Sequence, residues 1–581
     1  MQARTRNSPV TIASLCAVLL LYANLSLHAQ SPTPRQLESL AAAQRWEDIV
    51  HILAPLPTRT ADQTYAYGDA LAHLGRLPEA TLALESGRRL EPRGPRFPIE
   101  LAGIDFKQKR YPQAARLLRA ALKLDPNDSY ANDFLATVYF LEDNLPAAIQ
   151  CWNRLGQPTV AKPGMAKPRI DAVTLSPTPR VSPALLDRAF AFSPAATLTL
   201  PQFINSQMRV SALGIFPQAQ FDLQAKPGGS FDLDFRSRER NGFGDSRLEA
   251  LFLFLHELPF QAVTLDYFNA RRQAINFTSL ARWDENKRRV LADLSAPFEH
   301  RARFRVDLGL DLRNENWALR NGFTGPAPVL ASFNLRRESG SFSVASFTSD
   351  RFRWRLGAEV ASRDERSVVA GPPSAPVLTP QLLSAGTALK QIAQFDSTLL
   401  RLPQHRFTLA ANASSQAARL WSQPRLSFEK LQGALAAEWL PQAQGDDYAL
   451  EDHLRAGRTF GSVPFDELFM LGLERDNDLP LRAHIGTRDG RKGSAPLGRD
   501  YLVNTWEADK NLYSNGLLAI KLGPFFDTGA ISDANPALGS HKWLYDTGAQ
   551  LKLRVFSTTV AFSYGKDLRS GNNAFYVNLL P

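Results

Sequence analysis

The stretch ARFRVDLGLDLRNENW at residues 302–317 alternates between apolar and polar side chains. One face carries only apolar residues: Phe304, Val306, Leu308, Leu310 and Leu312. The other face carries mainly charged residues: Arg303, Arg305, Asp307, Asp311 and Arg313. A period of two predicts a β-strand with one apolar and one polar face. Such a strand suits a soluble antiparallel sheet, or a barrel wall with lipid outside and a hydrated lumen inside.

The same alternation recurs over residues 352–360 and 551–564. In the first of these segments three arginines share the polar face: Arg351, Arg353 and Arg355. Three like charges on one face would repel one another beneath a flat soluble sheet, whereas a wide lumen can offer them acidic partners. No apolar run after residue 29 approaches the ~18 residues of a spanning helix. The pattern therefore favours a closed transmembrane antiparallel barrel.

The N-terminal 29 residues have the order of a secretory signal peptide. Arg4 and Arg6 precede the apolar stretch 12–22, and Leu27-His28-Ala29 resembles a cleavage site. An uncleaved membrane anchor is the alternative. A signal peptide over residues 1–29 predicts export, and its removal would leave Cys151 as the only cysteine, so no intramolecular disulfide and no cysteine metal cluster are expected.

The chain carries 67 lysines and arginines against 57 acidic residues, a net charge of +10. Excess basic charge can indicate nucleic-acid binding, but the arginines here alternate along strands instead of forming one patch. A solvated or lumenal face is therefore favoured, and no nucleic-acid partner is expected.

Residues 30–157 contain a repeat of 34 residues. Alanines recur at this interval, and two prolines share it: Ala80, Ala114, Ala148, Pro92 and Pro126. A small residue where two helices touch, with a proline closing the second helix, resembles the tetratricopeptide repeat. Stacked helix pairs leave a groove that holds a peptide or partner helix, so an accessory protein is one expected partner. A simple spacer is the alternative.

Residues 158–184 are rich in proline and are interpreted as a semi-rigid linker. Residues 185–242 then predict a small α/β module, with a strand near 189–192, a helix near 201–213 and two strands joined by a turn at 227–229. LGIFPQAQFDL, at 213–223, resembles the central stretch of a POTRA domain, a periplasmic module placed before certain outer-membrane barrels. Such a module can add an extended client segment to its sheet edge. Pure scaffolding is the competing interpretation.

Residues 243–581 resemble the bacterial surface-antigen superfamily, which includes the BamA and TamA assembly barrels and the two-partner secretion transporters. FDELFMLGLERDNDLPLRAH, at 465–484, resembles the region leading into the inward-folded loop of that family. The family motif at the loop tip is matched by Leu481, Arg482, Ala483 and His484, with alanine for the usual glycine and histidine for the usual aromatic residue.

In the same family a Phe-x-Asp-x-Gly motif on a nearby strand receives the arginine. Phe525, Asp527 and Gly529 match it. The resemblance implies a barrel of about sixteen strands in which Arg482 pairs with Asp527, and a planar guanidinium fork would fix the loop's orientation.

Enzymatic motifs are poorly supported. His256-Glu257 lacks a second histidine at zinc-binding spacing, and Pro259 would disturb the helix that such a site needs. We find no nucleophile elbow and no phosphate-binding glycine loop in the sequence. We therefore expect no enzyme activity, cofactor or metal.

Three functions are consistent with these patterns. The first is an assembly or translocation barrel in the outer membrane of a Gram-negative-type bacterium, whose periplasmic N-terminal domains capture a protein or peptide client. The second is a passive pore or surface antigen. The third is a membrane-anchored periplasmic scaffold in which the helical repeats bind a partner. The POTRA-like module and the loop motif favour the first.

Overall fold

The structure is a computed structural model of the 581-residue chain. It describes residues 32–155, 167–227, 229–299, 301–373, 376–422, 425–442, 447–515, 518–556 and 558–580. The predicted signal peptide, residues 1–29, lies outside these residues, as does the part of the predicted linker at 158–166. The chain divides into two compact units, residues 1–138 and 139–581.

The first unit is helical. Its helices are α1 (Pro34–Ala42), α2 (Trp46–Leu53), α3 (Ala61–His73), α4 (Leu77–Leu90), α5 (Arg96–Lys107), α6 (Tyr111–Leu124) and most of α7 (Ser129–Leu141). Thr60 starts α3 with a capping box, in which its side chain and that of Gln63 each accept a backbone N–H of the other residue. Small residues let neighbouring helices approach closely. At Gly68 in α3, for example, an added Cβ would lie 2.6 Å from Cγ of Leu84 in α4.

The repeat positions mark equivalent places in successive helix pairs. Ala80 in α4 and Ala114 in α6 are fully buried. Pro92 and Pro126 each follow the end of one of these helices by two residues. In the second unit Ala148 is also fully buried, in α8 (Leu145–Leu155). The 34-residue spacing therefore coincides with a repeated helical hairpin.

A three-stranded module follows α8. It consists of β1 (Arg169–Ser176), α9 (Pro183–Ala189), α10 (Leu200–Ala212), β2 (Gln218–Ala225) and β3 (Ser230–Arg238). The sheet order is β1-β3-β2, with β1 parallel and β2 antiparallel to β3. Trp152 of α8 packs on Phe231 of β3 with ring centroids 5.0 Å apart, so α8 covers part of this sheet.

The structure corrects two predictions in this region. The strand predicted near 189–192 is wrong, because these residues end α9 and continue without a strand. Phe190 and Phe192 stack on each other at 5.5 Å, and Phe190 packs edge-on against Phe235, so they cover the sheet instead of joining it. The first strand of the module is instead β1, within the stretch interpreted as linker; Val173 pairs there with Leu233.

The remaining chain forms a closed barrel. A helix, α11 (Arg247–Leu255), precedes its strands. The strand segments after it are β4 (Ala262–Val263), β5 (Tyr267–Ala270), β6 (Ile275–Trp283), β7 (Lys287–Phe298), β8 (Arg301–Arg320), β9 (Val329–Ser346), β10 (Phe352–Val369), β11 (Gly386–Leu402), β12 (Phe407–Trp421), β13 (Leu426–Trp439), β14 (Tyr448–Gly461), β15 (Phe469–Met470), β16 (Thr487–Arg488), β17 (Arg491–Lys492), β18 (Leu497–Gly498), β19 (Asp500–Ser514), β20 (Leu518–Ser532), β21 (Ser540–Val555), β22 (Thr558–Asp567) and β23 (Asn573–Leu580).

In the described part of the chain, eighteen of these segments belong to the closed sheet. The expected number of about sixteen strands is not confirmed. The first wall strand is broken into β4 and β5, and the long loop after β14 adds the two-residue segments β16 and β17. β14 pairs directly with β19 across that loop, so residues 462–499 leave the wall without interrupting it.

The stretch 302–317 lies in β8, and the two faces of this strand lie as the alternation predicts. Leu308 and Leu310 point outward and are 46% and 45% exposed. Asp311 points inward and accepts hydrogen bonds from Arg289 at 2.9 Å on the neighbouring strand. Outward apolar and inward charged residues are the arrangement of a barrel with a polar interior.

The module contacts one end of the barrel. Arg209 of α10 donates to the carbonyl oxygens of Phe347 and Thr348 in a turn between strands, at 3.2 and 3.0 Å. Ser182 N donates to Arg272 O, 2.8 Å away in another turn. We call this the module end of the barrel. Within the described residues, no helix is long and apolar enough to cross a membrane.

We expect the core of the helical unit to depend on Leu84, which is fully buried, and not on Leu82, which is 74% exposed on the same helix. Leu84→Ala should lower the free energy of unfolding by about 2–5 kcal/mol, because it leaves a cavity between helices. Leu82→Ala is the matched control and should change it by less than ~0.5 kcal/mol. Urea unfolding of the full-length protein, followed by the helical circular dichroism signal, measures both; equal losses would contradict the packing.

Candidate functional site

The candidate site is the loop 462–499, which folds into the barrel interior. Phe465 at its start is 1% exposed. Its ring packs edge-on against two inward-facing wall residues, Trp317 at 5.0 Å and Phe333 at 4.8 Å. Later in the loop, Lys492 makes a bridge with the backbone of Trp317 on β8. The loop therefore contacts the wall at several points and fills part of the lumen.

Arg482 and Asp527 form the predicted pair. Arg482 Nε donates to Asp527 Oδ2 at 2.8 Å, and Nη2 donates to Oδ1 at 2.5 Å. The backbone N of Arg482 adds a third bond to Oδ2 at 3.0 Å. Arg482 is 2% exposed and Asp527 is fully buried. The bidentate fork fixes both the position and the direction of the loop tip.

Other groups share the charge of Arg482. Nη1 donates to Glu507 Oε1 at 2.5 Å, and the guanidinium carbon lies 3.9 Å from the centroid of the Phe525 ring. Burial alone would lower the pKa of Arg482, but its hydrogen bonds to Asp527 and its attraction to Asp527 and Glu507 outweigh burial and raise this pKa above its ordinary value. Arg482 is therefore charged at any ordinary pH.

The rest of the tip is bound to neighbouring strands. Ala483 N and His484 Nδ1 both contact Asp546 Oδ2, at 2.6 and 2.9 Å. A Cβ on Gly565 would lie only 2.5 Å from Arg482 O, so the tip passes directly over this strand residue. The sequence did not identify Asp546 or Gly565, because an acidic residue and a glycine within strands have no distinctive spacing.

Leu481 and Gly529 complete the motif residues. Leu481 is fully buried in an apolar cluster with Phe469, Leu471, Leu479, Tyr501, Val503, Ile531 and Leu544. A Cβ on Gly529 would lie 3.2 Å from Leu471 Cδ1, so glycine leaves room for this cluster. The structure thus brings all seven predicted loop and wall residues together. The repeat positions Ala80 and Ala114 lie in the helical unit and are not part of this site.

A second anchor was missed by the sequence. Lys492 Nζ donates to Glu315 at 2.8 Å and to Asp476 at 2.7 Å. Arg313 also donates to Asp476, at 2.9 Å. Burial alone would raise the pKa of Asp476, but Lys492 and Arg313 outweigh it and hold this pKa below its ordinary value. These contacts join two distant parts of the loop to each other and to β8.

A third anchor surrounds Glu467 near the start of the loop. Lys390 lies 2.7 Å from its carboxylate and Arg363 lies 3.4 Å away. Burial would raise the pKa of Glu467, but the surrounding cations, led by Lys390 and Lys430, lower it. The cations come from separate strands, so no local sequence pattern could have grouped them.

His484, Asp546 and Asp567 each offer one possible metal-ligand atom, and these atoms lie within 4.8 Å of one another. Asp567 already accepts hydrogen bonds from the Ser570 hydroxyl at 2.6 Å and from Arg569 N at 3.0 Å. The candidate site as a whole is a set of buried ionic contacts that positions the loop 462–499. Its three anchors, at Arg482, Lys492 and Glu467, contact different strands.

Removing the central pair tests the first anchor. Arg482→Ala should destabilise the folded barrel by about 3–5 kcal/mol, because it leaves Asp527 buried without its partner. Asp527→Ala should lower the free energy of unfolding by a smaller amount, because Arg482 keeps its ion pair with Glu507. The double variant should fall short of the sum of the single effects by about 1–3 kcal/mol. Arg482→Lys should rescue only partly, because lysine lacks the planar fork. Unfolding in detergent measures all four, and strict additivity would mean that the pair does not interact.

Gly565 tests the close passage of the loop tip. Gly565→Ala should displace the tip, since the new Cβ would overlap Arg482 O, and should make residues 486–493 more accessible to protease. Gly433→Ala is the matched control, because its Cβ would have only Asn412 O nearby, at 3.9 Å. Limited proteolysis measures both. Unchanged cleavage in Gly565→Ala would contradict the close contact.

Comparisons with known proteins give structural similarity only. No protein-family model matches the chain, and no curated protein matches it. A structure of BamA from Haemophilus ducreyi lacking POTRA domains 1–3 is similar at 13% identity and a TM-score of 0.38, covering 71% of this chain and 84% of that one. CdiB from Escherichia coli is similar at 11% identity and a TM-score of 0.43, covering 70% of this chain and 73% of that one. CdiB from Acinetobacter baumannii is similar at 9% identity and a TM-score of 0.42, covering 71% of this chain and 73% of that one.

Proposed function

We propose that this protein is an outer-membrane barrel of the assembly or translocation type, whose N-terminal domains lie in the periplasm and capture a protein client. The observation that carries the proposal is the loop 462–499, held in the lumen by the buried Arg482–Asp527 pair. A passive pore needs an open lumen, whereas three ionic anchors here hold a loop across it. The resemblance of this motif to the surface-antigen superfamily supports the same function.

The outward face of the wall supports a membrane location. Leucines at alternate positions are exposed on β8, and aromatic residues are exposed on other strands, such as Trp439 at 44% and Trp506 at 39%. A continuous apolar exterior around a charged interior is stable when lipid surrounds the barrel. Removal of residues 1–29 as a signal peptide is part of this proposal.

The module offers a site for client capture. In its sheet order β1-β3-β2, β2 is an edge strand, and Gln220 and Gln224 on it are exposed. An edge strand can pair with an extended peptide through backbone hydrogen bonds, with little demand on the peptide sequence. A POTRA-like role for this module rests on that geometry and on the sequence resemblance.

The helical unit offers a place for an accessory protein. The 34-residue repeat and its buried alanines support tetratricopeptide-like stacking. A surface cavity of about 920 Å³ lies between α2 and the end of α3, lined by residues that include Val50, His51 and Leu74. Such helical arrays present surfaces to peptides or partner helices. No enzyme activity forms part of the proposal.

Photo-crosslinking in cells tests capture. A photoreactive amino acid at Gln220 on the β2 edge should crosslink to exported protein segments identified by mass spectrometry. The same residue at Asp187, exposed on α9 of the same module, is the control and should capture far less. A passive pore predicts no difference between the two positions. A scaffold predicts crosslinks from His51 in the helical unit and none from Gln220.

The membrane orientation makes a separate prediction. Leu308→Arg should destabilise the barrel in lipid, by about 2–4 kcal/mol for a residue at the bilayer midplane, because it places a charge on the lipid-facing surface. Asp307→Asn, on the adjacent inward position, should cost far less. Unfolding from lipid vesicles measures the difference, and fractionation with outer membranes checks the location. Equal tolerance at the two sites, or recovery in the soluble periplasmic fraction, would contradict the orientation.

A further inference from the structure

The helix α11 exposes one strongly apolar face. Four leucines and a phenylalanine lie on it and in the turn that follows, with exposed fractions between 38% and 72%: Leu248, Leu251, Phe254, Leu255 and Leu258. Their spacing of three, four and seven residues makes a stripe along the helix. A contiguous apolar stripe of this kind needs a covering partner.

The opposite face of α11 is buried against the protein and carries Glu249 and Leu253. Glu249 is fully buried, and its carboxylate accepts a hydrogen bond from Asp245 N at 2.8 Å. Beyond the helix, Glu257 forms an ion pair of 2.6 Å with Arg475 of the loop 462–499. Leu253, Glu257, Arg482 and Leu580 all line one cavity of about 820 Å³. This face of α11 therefore looks into the lumen.

The segment runs the length of the wall. Glu249, near the start of α11, lies 4.0 Å from Arg238 of the module. Phe252, the sixth of the nine helix residues, packs on Phe556 with centroids 5.9 Å apart, and Arg238 lies over the same ring. Past its end, Gln261 O accepts a hydrogen bond from Trp283 N at 2.9 Å. Trp283 ends β6, which begins at the module end of the barrel. The chain thus climbs from the module end to the opposite end between residues 247 and 261.

The strand directions leave a place for such a segment. Every wall pair between the long strands of the barrel is antiparallel. β5 and β23, in contrast, both run toward the module end. β5 leads into the turn at Arg272, and β23 is antiparallel to β22, which starts next to Phe556. In the closed order β23 is followed by β4, which has only two residues. α11 runs in the direction opposite to β5 and β23 and lies beside the place where β4 follows β23 in the sheet.

We propose that α11 is a wall segment of the barrel and that the acyl chains of membrane lipids cover its apolar face. This inference rests on the proposed membrane location. A helix satisfies its own backbone hydrogen bonds, so it can face lipid beside the two-residue strand β4. Its outer stripe continues the apolar exterior of the adjoining strand region, where Leu265 is 51% and Tyr267 is 41% exposed. Its inner face meets charged partners as the inward positions of the strands do.

Fluorescence quenching by lipid tests this contact. In full-length protein carrying Cys16→Ser and Cys151→Ser, a bimane label is attached at Leu251→Cys or, in a second variant, at Leu255→Cys. Leu308→Cys marks the outer face of a strand, and Leu82→Cys marks a similarly exposed leucine of the helical unit. The proteins are reconstituted in phosphatidylcholine vesicles with and without nitroxide-bearing acyl chains. Labels at 251 and 255 should be quenched as strongly as the label at 308, and the label at 82 should not be quenched.

The outcomes separate this inference from the proposed function. Quenching at 308 without quenching at 251 and 255 would overturn the wall position of α11 and leave the membrane barrel intact. Absence of quenching at all positions would overturn the membrane location, and the inference with it. Disulfide-linked dimers of unlabelled Leu251→Cys, together with shielding of the label at 251 from lipid in the labelled sample, would show that a second copy covers the face and would also overturn the proposal.

Discussion

Arg482 carries a full positive charge at a place with almost no access to water. Such a charge is stable only where acceptors surround it, and here Asp527, Glu507 and the face of Phe525 do so together. Those three residues belong to the barrel wall, and Arg482 belongs to the loop. The ionic requirement of one side chain therefore decides where the loop lies, because no other described position offers it the same set of partners.

The wall makes this arrangement possible by closing without the loop. β14 and β19 pair directly, so the backbone hydrogen bonds of the sheet are satisfied whether residues 462–499 lie inside or outside. The position of the loop is then set by its own contacts with the wall, most of them made by charged side chains. Lys492 and Glu467 add contacts to strands on other sides of the lumen. Movement of the loop as a unit would require these anchors to break together, which couples the loop to most of the barrel.

Sequence reasoning succeeded where a pattern is local. Alternation at 302–317 gave a strand with the right faces, and the family motifs gave Arg482 and Asp527. It failed at 189–192, where alternating phenylalanines cover a sheet without joining it, and at β1, where proline-rich surroundings concealed a strand. In both cases the outcome depends on contacts with β3: Phe190 packs on Phe235, and Val173 pairs with Leu233, each more than forty positions away. Period alone does not reveal such partners.

The amino-acid sequence alone predicts the helical repeat, the two-faced strands and the residues of the central ion pair, because each depends on spacing within a short segment or on a recognisable motif. The other anchors, the break in the first wall strand and the course of α11 depend on contacts between residues that are distant in the sequence. Lys492, Glu315 and Asp476 are ordinary charged residues in the sequence. They become an anchor because the folded loop brings Lys492 and Asp476 together against Glu315 of β8, where a buried charge must find a partner.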